Sequence, residues 1–199
     1  LRPALMDVQL PAFSRPQANT YIIFPYKIDE SGAALYSVDE MQTQFPHCWE
    51  YLQNHENRLR ARNLQNPEMW YGYGRTQSLT RFNGEAKLIW PVLSLEPRYA
   101  YDDQDILFTG GGNGPYYGLR PLPDTRLSIF YLQAILSHLV FEAMVKSVAS
   151  TFRGGYKSHG KQFVQSLPIR QIDFTNHDEK SSHDNIVTSV QQLIQATEA

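Results

Sequence analysis

The chemistry this chain offers most plainly is uncompensated positive charge on a glycine-hinged loop. After the apolar run LSIFYLQAILSHLVFEAMVKSVAS, starting at Leu127, comes the segment TFRGGYKSHGKQFVQ and then Ser166-Leu167-Pro168-Ile169. Between Lys146 and Ile172 there is no Asp or Glu, while Lys146, Arg153, Lys157, Lys161 and Arg170 all fall there. A buried helix leading into such a loop gives what a phosphate-binding surface needs, a rigid mount and a positive face. Arg153, Lys157 and Lys161 are the candidates for phosphate contact, with Tyr156 placed to pack against a sugar or base.

A second run begins at Arg58. Arg58, Arg60, Arg62, Arg75 and Arg81 face one acid, Glu68. Within it, Tyr71-Gly72-Tyr73-Gly74-Arg75-Thr76-Gln77-Ser78 combines aromatics, glycines and polar donors. Base edges in the major groove are read by Arg or Lys against guanine and by Asn or Gln against adenine. Arg75 and Gln77, with Tyr73 beside them, are therefore the candidates for base contact. The competing structural explanations are simple. Arginines at a helix C-terminus complement its dipole, and tyrosines flanking glycines pack a loop onto a core.

Catalytic patterns are sparse. Glu85-Ala86-Lys87 offers the Glu-x-Lys tripeptide of Mg²⁺-dependent nucleases, but no Pro-Asp partner precedes it at a suitable position. Asp102, Asp103 and Asp105 fit a solvated turn better than a cation site. The six histidines are scattered, with no His-Glu-x-x-His pair. No Gly-x-Ser-x-Gly elbow is present, and Cys48 has no base nearby in sequence.

The bulk properties bound the rest. The 199 residues suffice for one sizeable core, and 42% hydrophobic with 13% aromatic content indicates a globular chain. A net charge of −2 argues against non-specific coating of nucleic acid but not against a local recognition face. One cysteine excludes an internal disulfide or a Cys-based zinc cluster and suits a reducing cytoplasm. No apolar stretch reaches the roughly 20 residues of a membrane span. A start at Leu1 without methionine suggests an excised piece of a longer protein.

Periodicity predicts an α+β fold in which short mixed or antiparallel strands pack with a long core helix and a C-terminal amphipathic helix. Residues 1–20, punctuated by Pro3, Pro11 and Pro16, are expected to be a linker. Residues 21–175 form the main domain and 176–199 the last helix. Strands are expected over Tyr21–Ile28, Ala34–Val38, Ala86–Leu95, Arg98–Asp102 and Ile106–Thr109, with a glycine loop over Gly110–Gly118. Pro46 opens a helix. The core helix is expected as one piece over about Thr125–Ser150, with Leu132, Leu136 and Leu139 buried. The last should start near Ser182, with Ile186, Val187, Val190, Leu193 and Ile194 as its stripe.

The order of parts (a helix of the form YLQAILS, a glycine-tyrosine loop, a lysine-containing segment ending in Leu167-Pro168-Ile169, a final amphipathic helix) resembles the TaqI-like C-terminal specificity domain. Lys87-Leu88-Ile89-Trp90-Pro91 resembles that family's "K-(I/L)-I-x-P" strand, and the segment before it the family's "W-x-x-x-R". Such domains are the target recognition parts of combined type II restriction-modification enzymes and adenine-N6 DNA methyltransferases. The resemblance implies a non-catalytic domain that recognises double-stranded DNA and partners a methyltransferase domain of the same polypeptide. S-adenosylmethionine, and Mg²⁺ if a nuclease is present, would belong upstream. Consistent with that division, Phe108-Thr-Gly110-Gly-Gly112 matches a loose F-x-G-x-G pattern for S-adenosylmethionine, but Pro115 rather than a helix follows. Asn66-Pro67-Glu68-Met69 lacks the second proline and the aromatic of a base-gripping motif. Two rival readings are a protein-interaction module, built on the apolar helices, and a small nuclease.

Overall fold

Local signals set the helix starts. The Ser37 hydroxyl accepts the Glu40 N–H at 3.2 Å while the Glu40 carboxylate accepts the Ser37 N–H at 2.8 Å, a capping box. Pro46 takes the first helical position of the next helix, as expected. The Asn176 side chain accepts from Asp178 and Glu179, so the last helix begins at His177, earlier than Ser182.

The computed structural model describes residues 1–110 and 114–198. In chain order the elements are β1 (Arg2–Leu5), β2 (Thr20–Ile22), β3 (Tyr26–Asp29), β4 (Gly32–Leu35), α1 (Val38–Gln44), α2 (Pro46–Asn54) and α3 (Glu56–Arg60). Then come β5 (Lys87–Pro91), β6 (Leu93–Ser94), β7 (Ala100–Asp102), β8 (Leu107–Phe108) and β9 (Tyr116–Leu119). The chain closes with α4 (Ile129–Ser137), α5 (Leu139–Val148), β10 (Lys157–Ser158), α6 (Lys161–Val164) and α7 (His177–Thr197). The fold is α+β, with short, mainly antiparallel strands and a C-terminal helix. Of the expected glycine loop over 110–118, residues 111–113 lie outside the described residues. No single helix among the described residues is long and apolar enough to cross a membrane.

The chain divides into two units, Leu1–Arg2 with Tyr21–Asn83, and Pro3–Thr20 with Gly84–Ala199. In the first, β3 and β4 form an antiparallel hairpin in which Tyr26 faces Leu35. Pro25 interrupts the strand expected over Tyr21–Ile28. Val38, read from sequence as a strand end, instead opens α1, because Ser37 caps it. Met41, Trp49, Leu52, Trp70 and Tyr71 form the core of this unit.

In the second unit β5 is central, antiparallel to β7 and to β9. One face of this sheet, with Leu88, Trp90 and Tyr99, packs with Tyr131, Leu132, Leu136, Phe141 and Val145. The other carries Ile89, Ala100 and Tyr116 against Leu5, Leu10 and Ile106. Residues 1–20, expected to be a linker, thus contribute buried side chains. They also contribute β1, which pairs in parallel with β8 through Ala4↔Leu107 and Leu5↔Phe108.

The apolar run expected as one helix is two, α4 and α5, bent by 64°. His138 is extended (φ −73°, ψ 142°), its own N–H closes α4 onto the Ile135 carbonyl, and its Nδ1 accepts the Val140 N–H at 3.2 Å. One residue ends a helix and caps the next, and apolar periodicity is blind to that. Leu132 and Leu136 are buried as expected, but the bend turns Leu139 outward, 78% exposed. Asp102 corrects a second expectation. It is fully buried, 2.6 Å from the Lys87 ammonium, and accepts the N–H groups of Gln104 and Ile106. It therefore closes the turn from inside instead of facing water.

Candidate functional site

The basic loop of the second unit is pinned at several points. The Ala149 N–H closes α5 onto the Val145 carbonyl, and Thr151 then bridges to Lys157. The Phe152 N–H donates to the Tyr156 carbonyl at 2.8 Å and the Gly155 N–H to the Phe152 carbonyl at 3.1 Å. That turn needs positive φ at Gly154 (80°) and Gly155 (83°), which glycine adopts without steric cost. β10 pairs antiparallel with β6, Lys157 opposite Ser94 and Ser158 opposite Leu93. Below it, the His159 N–H donates to the Val92 carbonyl, and the Trp90 indole donates to the His159 carbonyl.

A buried ion cluster completes the mount. His159 Nε2 lies 2.8 Å from the Glu142 carboxylate, and Nδ1 lies 3.2 Å from the Lys157 carbonyl. Lys146, one turn along α5, lies 3.1 Å from the other Glu142 oxygen. Burial pushes the Glu142 carboxyl up, but the hydrogen bond and charge of His159, with those of Lys146, outweigh it and hold the group below its ordinary value. Tyr99, buried near this carboxylate, is raised by burial and by Glu142.

The mount sorts the five cations of this stretch. Lys146 is tied to Glu142 and Arg170 to Glu179 at 3.1 Å. Arg153 and Lys161 are exposed, and Lys157 donates to the Thr151 hydroxyl at 2.6 Å. Among the described residues, none of these three forms an ion pair with a carboxylate. Tyr156 is half-buried, its ring over Gly154.

In the first unit the segment from Trp70 to Ser78 divides at Gly74. Before it, Trp70 and Tyr71 are buried against Trp49. Tyr73 donates its hydroxyl to the Ile23 carbonyl and packs on Phe24 and Tyr26. Burial pushes that phenol up to about 12. After Gly74, Arg75, Thr76, Gln77 and Ser78 are exposed. Arg75 and Gln77 line a small polar cavity of about 260 Å³ with Asn63, Gln65 and Gly74. A side chain at Gly74 would come within 2.9 Å of the Asn63 carbonyl, so only glycine fits there. Of the neighbouring arginines, Arg62 donates to the carbonyls of Leu59, Trp70 and Gly72, and Arg60 pairs with Glu56 over the Trp70 ring. Arg75 and Gln77 therefore stand together in one unit, and Arg153, Tyr156, Lys157 and Lys161 in the other.

The sequence is similar to part of a known protein. Over 183 residues the chain is 30% identical to the type II restriction enzyme and methyltransferase RM.Eco57I of Escherichia coli. The chain is related to a restriction-modification protein. The match takes in 89% of this chain and 18% of the relative, so the chain spans a small part of that protein's length. No family profile matches the chain.

Sequence reasoning missed three features of this relative of a restriction-modification protein. One is the Glu142–His159 pair, seventeen positions apart and joined only by the fold. Another is the engagement of both ends of Glu85-Ala86-Lys87, where Glu85 pairs with Arg120 and Lys87 with buried Asp102. No group of three metal-ligating side chains occurs among the described residues. The third is a set of exposed apolar side chains beside the basic loop, Leu93, Leu95 and Phe152. The proline at 97 and the glycines at 154 and 155 were the available hints that these short segments meet at an edge.

Proposed function

We propose that this chain recognises double-stranded DNA as part of a restriction-modification polypeptide, holding a methyltransferase domain, and a nuclease domain where one exists, over a short target. The observation that carries the reading is the set Arg153, Lys157 and Lys161. Among the described residues these three cations have no carboxylate partner, on a segment fixed to the core, in a chain related to such a protein. Their role is phosphate contact, with Tyr156 against sugar or base. Arg75 and Gln77 face base edges, and Tyr73 holds the segment beneath them. S-adenosylmethionine, and any Mg²⁺, are bound by the remainder of the polypeptide. Binding to a cognate site then exceeds non-specific binding by roughly 4–10 kcal/mol.

The test is a titration of cognate and scrambled duplexes at several salt concentrations, with the chain and with the full-length polypeptide. Replacing Arg153, Lys157 and Lys161 by Ala weakens binding to all duplexes alike and flattens the log–log salt slope by about 0.9 per lost contact. Arg75→Ala costs about 1–3 kcal/mol on the cognate site alone and relaxes the choice of one base. Unchanged affinity and slope in the full-length protein with all four substitutions would remove these residues from the interface.

One observation favours a second reading, an assembly surface. Phe13, Ala134, Leu139, Ile186, Val190 and Leu193 line an open apolar depression of about 450 Å³. Leu139 and Leu193 are left exposed beside it. Light scattering showing a concentration-dependent dimer that Leu139→Asp abolishes would support that reading.

A further inference from the structure

Three large apolar side chains stand exposed around the basic loop, where a phosphate-binding surface alone needs none. Phe152 is 48% exposed, Leu95 48% and Leu93 42%. They flank β10, Leu93 and Leu95 on the β6 side and Phe152 on the side of the Thr151–Lys157 bridge. β6 supplies Leu93 and leads into Leu95, whose side chain lies 3.9 Å from where a Cβ on Gly155 would sit. Phe152 is fixed at the neck of the same turn by its two backbone hydrogen bonds with Tyr156 and Gly155. The polar surroundings are cationic. Arg153 follows Phe152 directly, Lys157 lies across the bridge, and Lys161 begins α6. Glu96, next to Leu95 in the chain, is engaged by Arg98 at 2.9 Å.

We infer that Phe152 is an apolar wedge that enters between two base pairs of bound duplex DNA while Arg153, Lys157 and Lys161 grip the flanking phosphates. Proteins that bend DNA insert such side chains at a base step, and the cost of unstacking is recovered through added backbone contacts. Charge complementarity identifies the occupant. An apolar tip flanked by cations that have no carboxylate partner among the described residues suits a polyanion with stackable faces, and a duplex offers both. A rigid neck suits the role, because a wedge that yields cannot hold a step open. The inference rests on the DNA-recognition reading and adds to it a deformed, not merely contacted, target.

The experiment uses the full-length polypeptide and duplexes carrying 2-aminopurine at successive positions, with Phe152→Ala and Phe152→Lys, each checked for native circular dichroism. The expected result is a fluorescence rise at one step that both substitutions abolish. For Phe152→Ala, affinity falls roughly 5- to 150-fold, with the salt slope unchanged because no phosphate contact is lost. Phe152→Lys separates wedge from charge, since a purely electrostatic loop would bind more tightly with the added cation. If wild type binds the duplex but Phe152→Ala keeps both the signal and the affinity, the wedge is overturned and the recognition reading stands. If wild type binds no duplex, the recognition reading falls and the wedge with it. If Phe152→Ala loses binding to anionic phospholipid vesicles while duplex binding and signal persist, the apolar tip serves a membrane surface and the wedge is overturned.

Discussion

The two arginine- and lysine-rich runs look alike in sequence and are used differently. In the run from Arg58 to Arg81, Arg62 ties three backbone carbonyls together and Arg60 is paired and stacked, so part of the charge holds the segment in shape. In the run from Lys146 to Arg170, the outer two cations are paired with carboxylates, whereas among the described residues the three between them are not, and of these Lys157 is tied to the Thr151 hydroxyl. The difference shows that a cation is available only when its geometry is secured by something else. Glycine turns, the β6–β10 ladder and the Glu142–His159 pair do that for the second run, whereas in the first the arginines do it themselves.

The largest expected effect tests a cation that is wholly structural. Lys87→Met leaves Asp102 buried without its partner and should cost about 3–5 kcal/mol in chemical denaturation. Leu136→Ala, in the core beneath the basic loop, should cost about 2–5 kcal/mol, and Leu139→Ala, just past the bend, close to nothing. Equal losses would contradict the bend at His138. Arg62→Ala should cost about 1–2 kcal/mol, mostly as earlier melting of the Trp70–Ser78 segment, because its carbonyls lose their donors. Arg153→Ala should leave the melting temperature unchanged while weakening duplex binding and flattening its salt dependence. A matching loss of stability in both would erase the contrast between the runs.

The smallest effect is in pH. The folded Glu142 carboxyl lies below its ordinary value, so it adds stability above the unfolded value and loses that contribution as pH falls through the folded one. Glu142→Gln should therefore be less stable than wild type near neutral pH, and the gap should narrow as the pH drops below 4.5. A gap that stayed constant would mean the carboxylate's charge is not what secures the loop.

What the sequence made legible were features carried by neighbouring residues. Pro46 marked a helix start, the Ile186–Ile194 stripe a last helix, and the acid-free stretch after Lys146 a basic loop. What it hid depended on contacts distant in the chain or on a single residue with two roles. Nothing near Asp102 announced that Lys87 would meet it on the adjacent strand, so it read as part of a solvated acidic turn. His138 looked like one more helical position. Residues 1–20 looked like a linker because prolines dominated, yet Leu5 and Leu10 close one side of the sheet. At the candidate site, Arg153, Lys157 and Lys161 were visible as types, but whether each would be spent on a carboxylate was a property of the fold.

The fixed turn between Phe152 and Tyr156 also bears on the thermodynamics of association. A loop that must be ordered at encounter pays for that ordering each time it binds, and its complexes show a large entropic penalty. Here the backbone between Thr151 and His159 is already hydrogen-bonded in the unbound chain. The conformational cost is met once, during folding, so on the proposed DNA-recognition reading binding energy from the phosphates would be left to deform the ligand instead of the protein.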